Sequence, residues 1–549
     1  MRRIVTVRGA STTERLSGWL RNASIFGHRV ADIESALRRR SVPSHWTNLF
    51  GVVSAACVVT ILVTGVVLMF FYTPSSSTTT YSGEYAPLHG VDVSLAFDST
   101  MRISFGLPGG LLIRQAHHWA ALLLPASIIM QLLAAFFTGR FRRPRRGQWL
   151  LLFLIFVVSL VGGWSGYALP DDLLSGTGIR ITEGIALGIP FVGTSLSSLL
   201  FGGQFPGQII EHLYPLHVAV VPALLILLLI VRTIAAWQQP PPQFPGLGRS
   251  NDNVVGVPLV PVAAARIGGL FSMVTAVLVL VSATVTVSPI WLYGPASPGD
   301  ASAGSQPDWY TGFLDGALRL VPSGWEVVWL DRTWTLAILV PLGVVTAFLL
   351  AIAVYPFVEE WITGDHFEQH LLDRPRDAAT RTAIGVAGIV FYGVLWTAAG
   401  ADVISTHFHV AFEHVITALQ VLVVFGPAVG FTIARRVCLA LQRKDRDVLE
   451  HGIETGRIIR IPGGEYIDVH RPLTEDERAV FPTPANYRPA ALKPNERGIV
   501  PVAQRFRVRL SRFFFVGSVQ HQQYGAGPTP RREEVRPRVG RHGHGLRLD

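Results

Sequence analysis

Eight stretches of about 20 mainly apolar residues recur along the chain, at about 49–72, 113–137, 148–169, 213–236, 267–290, 334–357, 383–402 and 415–434. Each is long enough to cross a hydrocarbon layer of about 30 Å. No other feature restricts the fold so strongly. Inside hydrocarbon no water pairs the backbone, so each crossing segment must satisfy its own N–H and C=O groups, which a helix does. Of 549 residues, 49% are hydrophobic and only 15% charged, too apolar for one soluble domain of this length. The start shows no charged n-region, short apolar core and cleavage site, so no leader is expected to be removed. The expected fold is all-α: a polytopic membrane protein of eight transmembrane helices. Residues 1–44 form an N-terminal segment, 45–240 a four-helix bundle, 241–266 a linker and 267–436 a second transmembrane region. Residues 437–549 form a cytoplasmic tail, polar and rich in Arg and Pro after about 474, where it is expected to be mostly disordered.

Charge sets the orientation. The loop "GRFRRPRRG" after the second span carries five arginines between Arg140 and Arg146. Arg38 to Arg40, then Arg374, Arg376 and Arg381, then Arg435, Arg436, Arg443, Lys444 and Arg446 fall on the same side. The alternate loops hold scattered basic residues such as Arg102, Arg180, Arg319 and Arg332. This asymmetry predicts cytoplasmic termini in a plasma-membrane protein. The net charge of +10 is then spent on topology, and no nucleic-acid partner is expected.

With only Cys57 and Cys438, there is no CxxCH haem attachment, no zinc or iron–sulfur pair and no disulfide framework. Any metal must use other ligands. His117, in "RQAHHWAALLL", and His217, in "HLYPLHVAVV", lie at a similar depth near the same ends of the second and fourth spans. A histidine within a span marks a functional site by default, the plain alternative being a bond between helices. Two neutral imidazoles at one depth, with no carboxylate nearby, suit haem iron better than a hard cation. Gly51 and Gly65 in the first span are fourteen residues apart, nearly four turns, so they share one face about 21 Å apart. They fit either a flat group against the backbone or close helix packing. Gly166 ends the third span at the depth of the two histidines. His407, His409 and His414 beside an outer loop carry no pattern that supports a metal.

Gly51 and Gly65, "RQAHHW", "GYALPDDLLSG" and the fourth-span histidine together resemble cytochrome b of respiratory quinol–cytochrome c reductases. The loop "SAGSQPDWY" strengthens this: Pro307, Asp308, Trp309 and Tyr310 match the family's Pro-Glu-Trp-Tyr quinol-site motif with aspartate for glutamate. That variant, "LPDD" and the tail beginning "VLEHGIETG" are similar to the actinobacterial form, the b subunit of the cytochrome bcc complex. The resemblance covers roughly residues 40–475. It implies an oxidoreductase and translocase subunit whose N-terminal bundle holds haem b and whose outer face oxidises quinol, of menaquinone type. Implied partners are a Rieske-type iron–sulfur subunit, a cytochrome c subunit, a terminal oxidase and membrane lipid, in a dimeric complex.

The resemblance implies two stacked haems, each held by one histidine of the second helix and one of the fourth. His117 and His217 match the outer ligands, flanked by Gly65 and Gly166, and Arg114 matches an arginine that pairs with a haem propionate. Asp308 matches the quinol-site proton acceptor, with Tyr310 orienting it. At the inner level the ligand positions hold Gln131 and Arg232, and the glycine position holds Leu152; Gly51 alone remains. Arginine stays protonated and offers no lone pair. The expectation is one haem b, with the inner site altered or lost. In that case Gln131 bonds a neighbouring helix and Arg232 extends toward the cytoplasmic interface. An alternative is a diverged paralogue with an assembly or regulatory role and incomplete electron flow. His118 is left between a bond near the haem edge and simple packing.

Overall fold

The computed structural model describes residues 34–203, 208–297, 308–322, 324–481, 490–492 and 500–518. Eight helices are long and apolar enough to cross a membrane: α1 (Trp46–Met69), α2 (Gly110–Phe137), α3 (Arg146–Ala168), α4 (Ile209–Gln238), α5 (Leu259–Thr284), α6 (Leu336–Thr363), α7 (Ala379–Ala399) and α8 (Phe412–His451). A ninth, α9 (Val502–Phe515), is amphipathic and lies against α6 and α7.

The first five spans enclose the main apolar core. Cys57 of α1, Ala120, Leu124, Ile128 and Leu132 of α2, Trp149, Leu152, Ile155 and Phe156 of α3, Leu225 of α4 and Leu278 of α5 interlock there. The core fills the half of the bundle away from the histidines. Helix α4 starts with an irregular turn. Pro215 supplies no backbone donor, and Leu216–Val220 widens into a single π-turn that carries His217, a distortion often found at functional sites. The linker is short and ordered: Ser41 and Val42 pair with Pro258 and Val257.

In the second half, α7 packs closely on α8. Gly426 and Gly430 lie one turn apart on α8, and a Cβ at either would stand 3.1 Å from a methyl of Val390. Two small residues four apart let the backbones approach, the usual device where no hydrophobic effect drives helices together.

The arginine-rich loop is not bare charge. Arg142 pairs with Asp373 at 2.9 Å, while Arg143 and Arg146 grip Glu360 at 2.7 and 2.5 Å. Arg381 holds Glu359 at 2.5 Å and Asp373 at 2.7 Å. These pairs tie the turn after α2 to the ends of α6 and α7.

Two boundaries differ from the sequence reading. Helix α8 continues past the apolar window to His451 because the following "LQRKDRDVLE" is itself a good helix former. It leads into the hairpin Ile453–Arg460 and Tyr466–Arg471. Within the tail, expected to be mostly disordered after about 474, Val502–Phe515 forms α9, held by its packed face. Residues beyond 518 lie outside the described residues.

Candidate functional site

The imidazoles of His117 and His217 face each other across the bundle, ring centres 6.1 Å apart and planes at 66°. Each Nδ1 is engaged by a neighbouring helix. That of His217 donates to the Gly162 carbonyl at 3.1 Å, with Ser165 Oγ at 3.2 Å. That of His117 meets Thr64 Oγ1 at 3.0 Å. The Thr64 hydroxyl gives its own proton to the Thr60 carbonyl at 2.6 Å, so its oxygen accepts from the histidine. Both rings are thereby held as the Nδ1–H tautomer, with the lone pair on Nε2. Fixing the outer nitrogen in this way is how proteins orient metal-binding histidines.

The spacing fits a metal between them. Two metal–imidazole bonds of about 2.0 Å each, with half a ring on either side, put ring centres about 6 Å apart. The glycines serve the imidazoles directly: a Cβ at Gly65 would fall 3.1 Å from His117 Cε1, and one at Gly166 only 2.5 Å from His217 Cε1. Arg114 is buried at 9% exposure. It donates to Ser104 Oγ at 3.3 Å and to the Ser288 carbonyl. Both acceptors are neutral, and no carboxylate of the described residues lies within salt-bridge distance of it, which suits an anionic propionate. This donor set fits a haem.

The inner level does not. Arg232 Nη2 donates to Gln131 Oε1 at 3.0 Å, and Gln131 Nε2 donates to Ser54 Oγ at 2.7 Å. Ser54 in turn meets Ser127 Oγ at 2.6 Å. Four side chains from α1, α2 and α4 thus close on one another where two imidazoles would be needed. Gln131 bonds across helices as expected. Arg232 does not extend outward: its head turns in to the glutamine, because an amide carbonyl is within reach inside the bundle. Leu152, 4% exposed, is packed into the core. A Cβ at Gly51 would meet only Gln131 Oε1 at 3.7 Å.

The quinol-motif loop joins this bundle from above. Pro307 lies outside the described residues. Asp308 Oδ2 accepts from the Tyr310 hydroxyl at 2.8 Å. Burial, and the Asp308 carboxylate beside it, hold that hydroxyl well above its usual range, so it remains a donor. Trp309 Nε1 donates to the Leu122 carbonyl of α2 at 3.2 Å, and Trp396 of α7 donates to the Trp309 carbonyl at 3.1 Å. The loop is thereby fixed between the two halves of the molecule. His118 finds its place here, with Nε2 at 3.4 Å from both oxygens of Asp308. One helical position therefore aims at the facing imidazole and the next at the loop of Asp308.

Three contributors escaped the sequence reading. Thr64 and Gly162 orient the imidazoles. Gly163 leaves room for Tyr310, since a Cβ there would overlap its hydroxyl. The adjacent glycines of "VGGWSG" were the only available signal. The "LPDD" motif is structural in part: Asp172, 1% exposed, caps the helix Leu173–Leu187 through the amides of Leu174 and Ser175. Asp171 beside it has its carboxyl pushed up by burial.

Comparison with known proteins identifies the family. The family model described as cytochrome b (N-terminal)/b6/petB matches residues 122–295. The cytochrome bc1 complex cytochrome b subunit of Streptomyces coelicolor is 42% identical over 534 residues, covering 94% of this chain and 97% of that protein. Its counterpart in Mycobacterium leprae is 42% identical over 463 residues, covering 83% and 84%. Among solved structures, a chain of a hyperthermophilic respiratory complex III shares the fold with a TM-score of 0.55 at 19% identity, over 76% of this chain and 98% of that one. A multi-pass helical chain of this length, so similar to these relatives over nearly all of its sequence, belongs to the family of cytochrome bc1 complex cytochrome b subunits.

Proposed function

We propose that this protein is the quinol-oxidising membrane subunit of a quinol–cytochrome c reductase that holds one haem b, between His117 and His217, and none at the inner level. The observation that carries the reading is the contrast between the two levels. Above, two imidazoles are preset in one tautomer at bis-histidine spacing. Below, an amide, a guanidinium and two hydroxyls hydrogen-bond one another, with Arg232 Nε buried and left without a partner among the described residues. The haem supplies a one-electron acceptor on the outer side of the bundle.

The chain's own residues handle the proton. Quinol, of menaquinone type, reaches the loop at Asp308, whose carboxylate accepts a proton as the quinol gives up its electrons. Tyr310 donates to one carboxylate oxygen and sets the plane of the group, while His118 stands beside both oxygens. Gly163 and Trp309 hold these groups in register. A Rieske-type iron–sulfur subunit takes the other electron and a cytochrome c subunit carries it on, in a dimeric complex working with a terminal oxidase. Both termini and the arginine-rich loop face the cytoplasm of a plasma-membrane protein.

A second reading rests on the same inner level: a diverged paralogue with an assembly or regulatory role and incomplete electron flow. A reduced-minus-oxidised spectrum with a haem-to-protein ratio, taken with quinol turnover, separates the two. A ratio near one with turnover supports the first reading; a ratio near one without turnover supports the second. Two b haems of distinct potential would overturn the single-haem assignment.

A further inference from the structure

Helix α9 presents three distinct faces, and two of them are largely exposed among the described residues. At 3.6 residues per turn, Gln504, Val508, Ser511 and Phe515 fall on one side. Of these, Val508, Ser511 and Phe515 are 3%, 0% and 8% exposed. This side is docked on the span ends: Arg507 Nε donates to the Trp361 carbonyl of α6 at 2.6 Å, Thr380 of α7 donates to the Phe514 carbonyl at 2.7 Å, and Arg435 of α8 donates to the Val516 carbonyl at 2.8 Å. The helix therefore lies at the level where three spans leave the apolar layer.

The other two faces run side by side. Val502, Phe506 and Phe513 make an apolar stripe, 80%, 58% and 49% exposed. Arg505, Arg509 and Arg512 make a basic stripe next to it, all exposed. The helix has no acidic residue, and none of the three arginines has a carboxylate partner among the described residues. The apolar stripe runs on into the lipid-facing side of α8: Phe513 stacks on Phe431 with ring centres 6.1 Å apart and planes at 10°. Around it Val429, Ile433 and Val437 are 55%, 58% and 51% exposed.

We infer that α9 is an interfacial helix: its Phe506 stripe sits among the acyl chains of the leaflet on the arginine-loop side, and Arg505, Arg509 and Arg512 bind the anionic headgroups of that leaflet. A basic stripe beside an apolar one is what a helix lying in the interface plane requires, and each arginine near an anionic surface adds attraction. Continuity with the outer face of α8 selects lipid over a soluble partner, which would not reach a surface shared with a span. The inference needs only that the chain spans a membrane and is independent of its haem content.

The test uses the full-length protein in nanodiscs of mixed phosphatidylglycerol and phosphatidylcholine. Nitroxides are placed by Phe506→Cys and Arg509→Cys, with the unsubstituted protein as control for the buried Cys57 and Cys438. The label at 506 should collide with oxygen more than with nickel–EDDA, and the label at 509 the reverse. The variant R505Q/R509Q/R512Q should lose most of the protein's preference for spin-labelled phosphatidylglycerol over phosphatidylcholine, while its haem absorbance stays as in the parent. A label at 506 that is open to nickel, or shielded from both reagents, overturns the inference, as does an unchanged lipid preference in the triple variant.

Discussion

A methyl group added at Gly166 meets different surroundings from one added at Gly51. At position 166 it would lie 2.5 Å from His217 Cε1 and 3.1 Å from both ring nitrogens, so the imidazole must leave its place. Gly166→Ala should therefore abolish most b-type absorbance while helix content by circular dichroism stays intact. At position 51 the nearest atom is 3.7 Å away, an ordinary contact. Gly51→Ala should leave the spectrum unchanged and gain up to about 1 kcal/mol from helix propensity, read as a raised thermal midpoint. Asp308→Asn keeps the size of the side chain but removes the proton acceptor. Quinol oxidation should fall by about 100-fold or more, with the outer haem still bound; equal turnover would reduce Asp308 to a structural role. The histidines were legible in the sequence because an imidazole in a span is rare. Thr64, Gly163 and the aim of His118 were not, since they depend on which rotamers meet across helices far apart in sequence.

At the scale of elements, the ends of α6 and α7 are held by the pair Glu359–Arg381, 4% and 2% exposed. Two guanidinium nitrogens meet the carboxylate at 2.5 to 3.1 Å. Removing one partner of a buried pair strands the other, at a typical cost of about 3–5 kcal/mol. Glu359→Gln should sit toward the lower end, because Asp373 still holds Arg381 at 2.7 Å. The measurement is the thermal midpoint of the purified protein in detergent. An unchanged midpoint would remove this pair from the forces that fix α6 against α7. The eight spans were plain from hydropathy, whereas the arginines read only as a signal of sidedness. That Glu359, Glu360 and Asp373 neutralise them in the folded protein is a tertiary fact, since their partners lie more than 200 residues away for Arg142, Arg143 and Arg146.

For the whole molecule, the consequence is one of electron routing. On the proposed one-haem reading, with the inner level closed by Gln131, Arg232, Ser54 and Ser127, an electron at the outer site would have most of the bilayer to cross before an inner quinone. The purified complex should carry one b haem per copy of this chain. Gln131→His and Arg232→His with Leu152→Gly should raise the ratio toward two, since the triple change restores both ligands and the space for a macrocycle. A ratio that stays at one in a correctly folded triple variant would overturn the view that these three residues keep the inner site shut.

By itself the sequence determined the membrane class, the number of spans and two histidines at one depth, while the reading of Gln131 and Arg232 as inner-ligand positions came from the family resemblance. The first three are properties of composition and spacing, which a helix of fixed rise converts directly into depth. The tertiary structure decided what fills the inner level, where Arg232 turns, which group His118 meets and that α9 folds at all. Each of these depends on partners brought together across the bundle, and a polar head at bilayer depth takes whichever acceptor the packing places within reach.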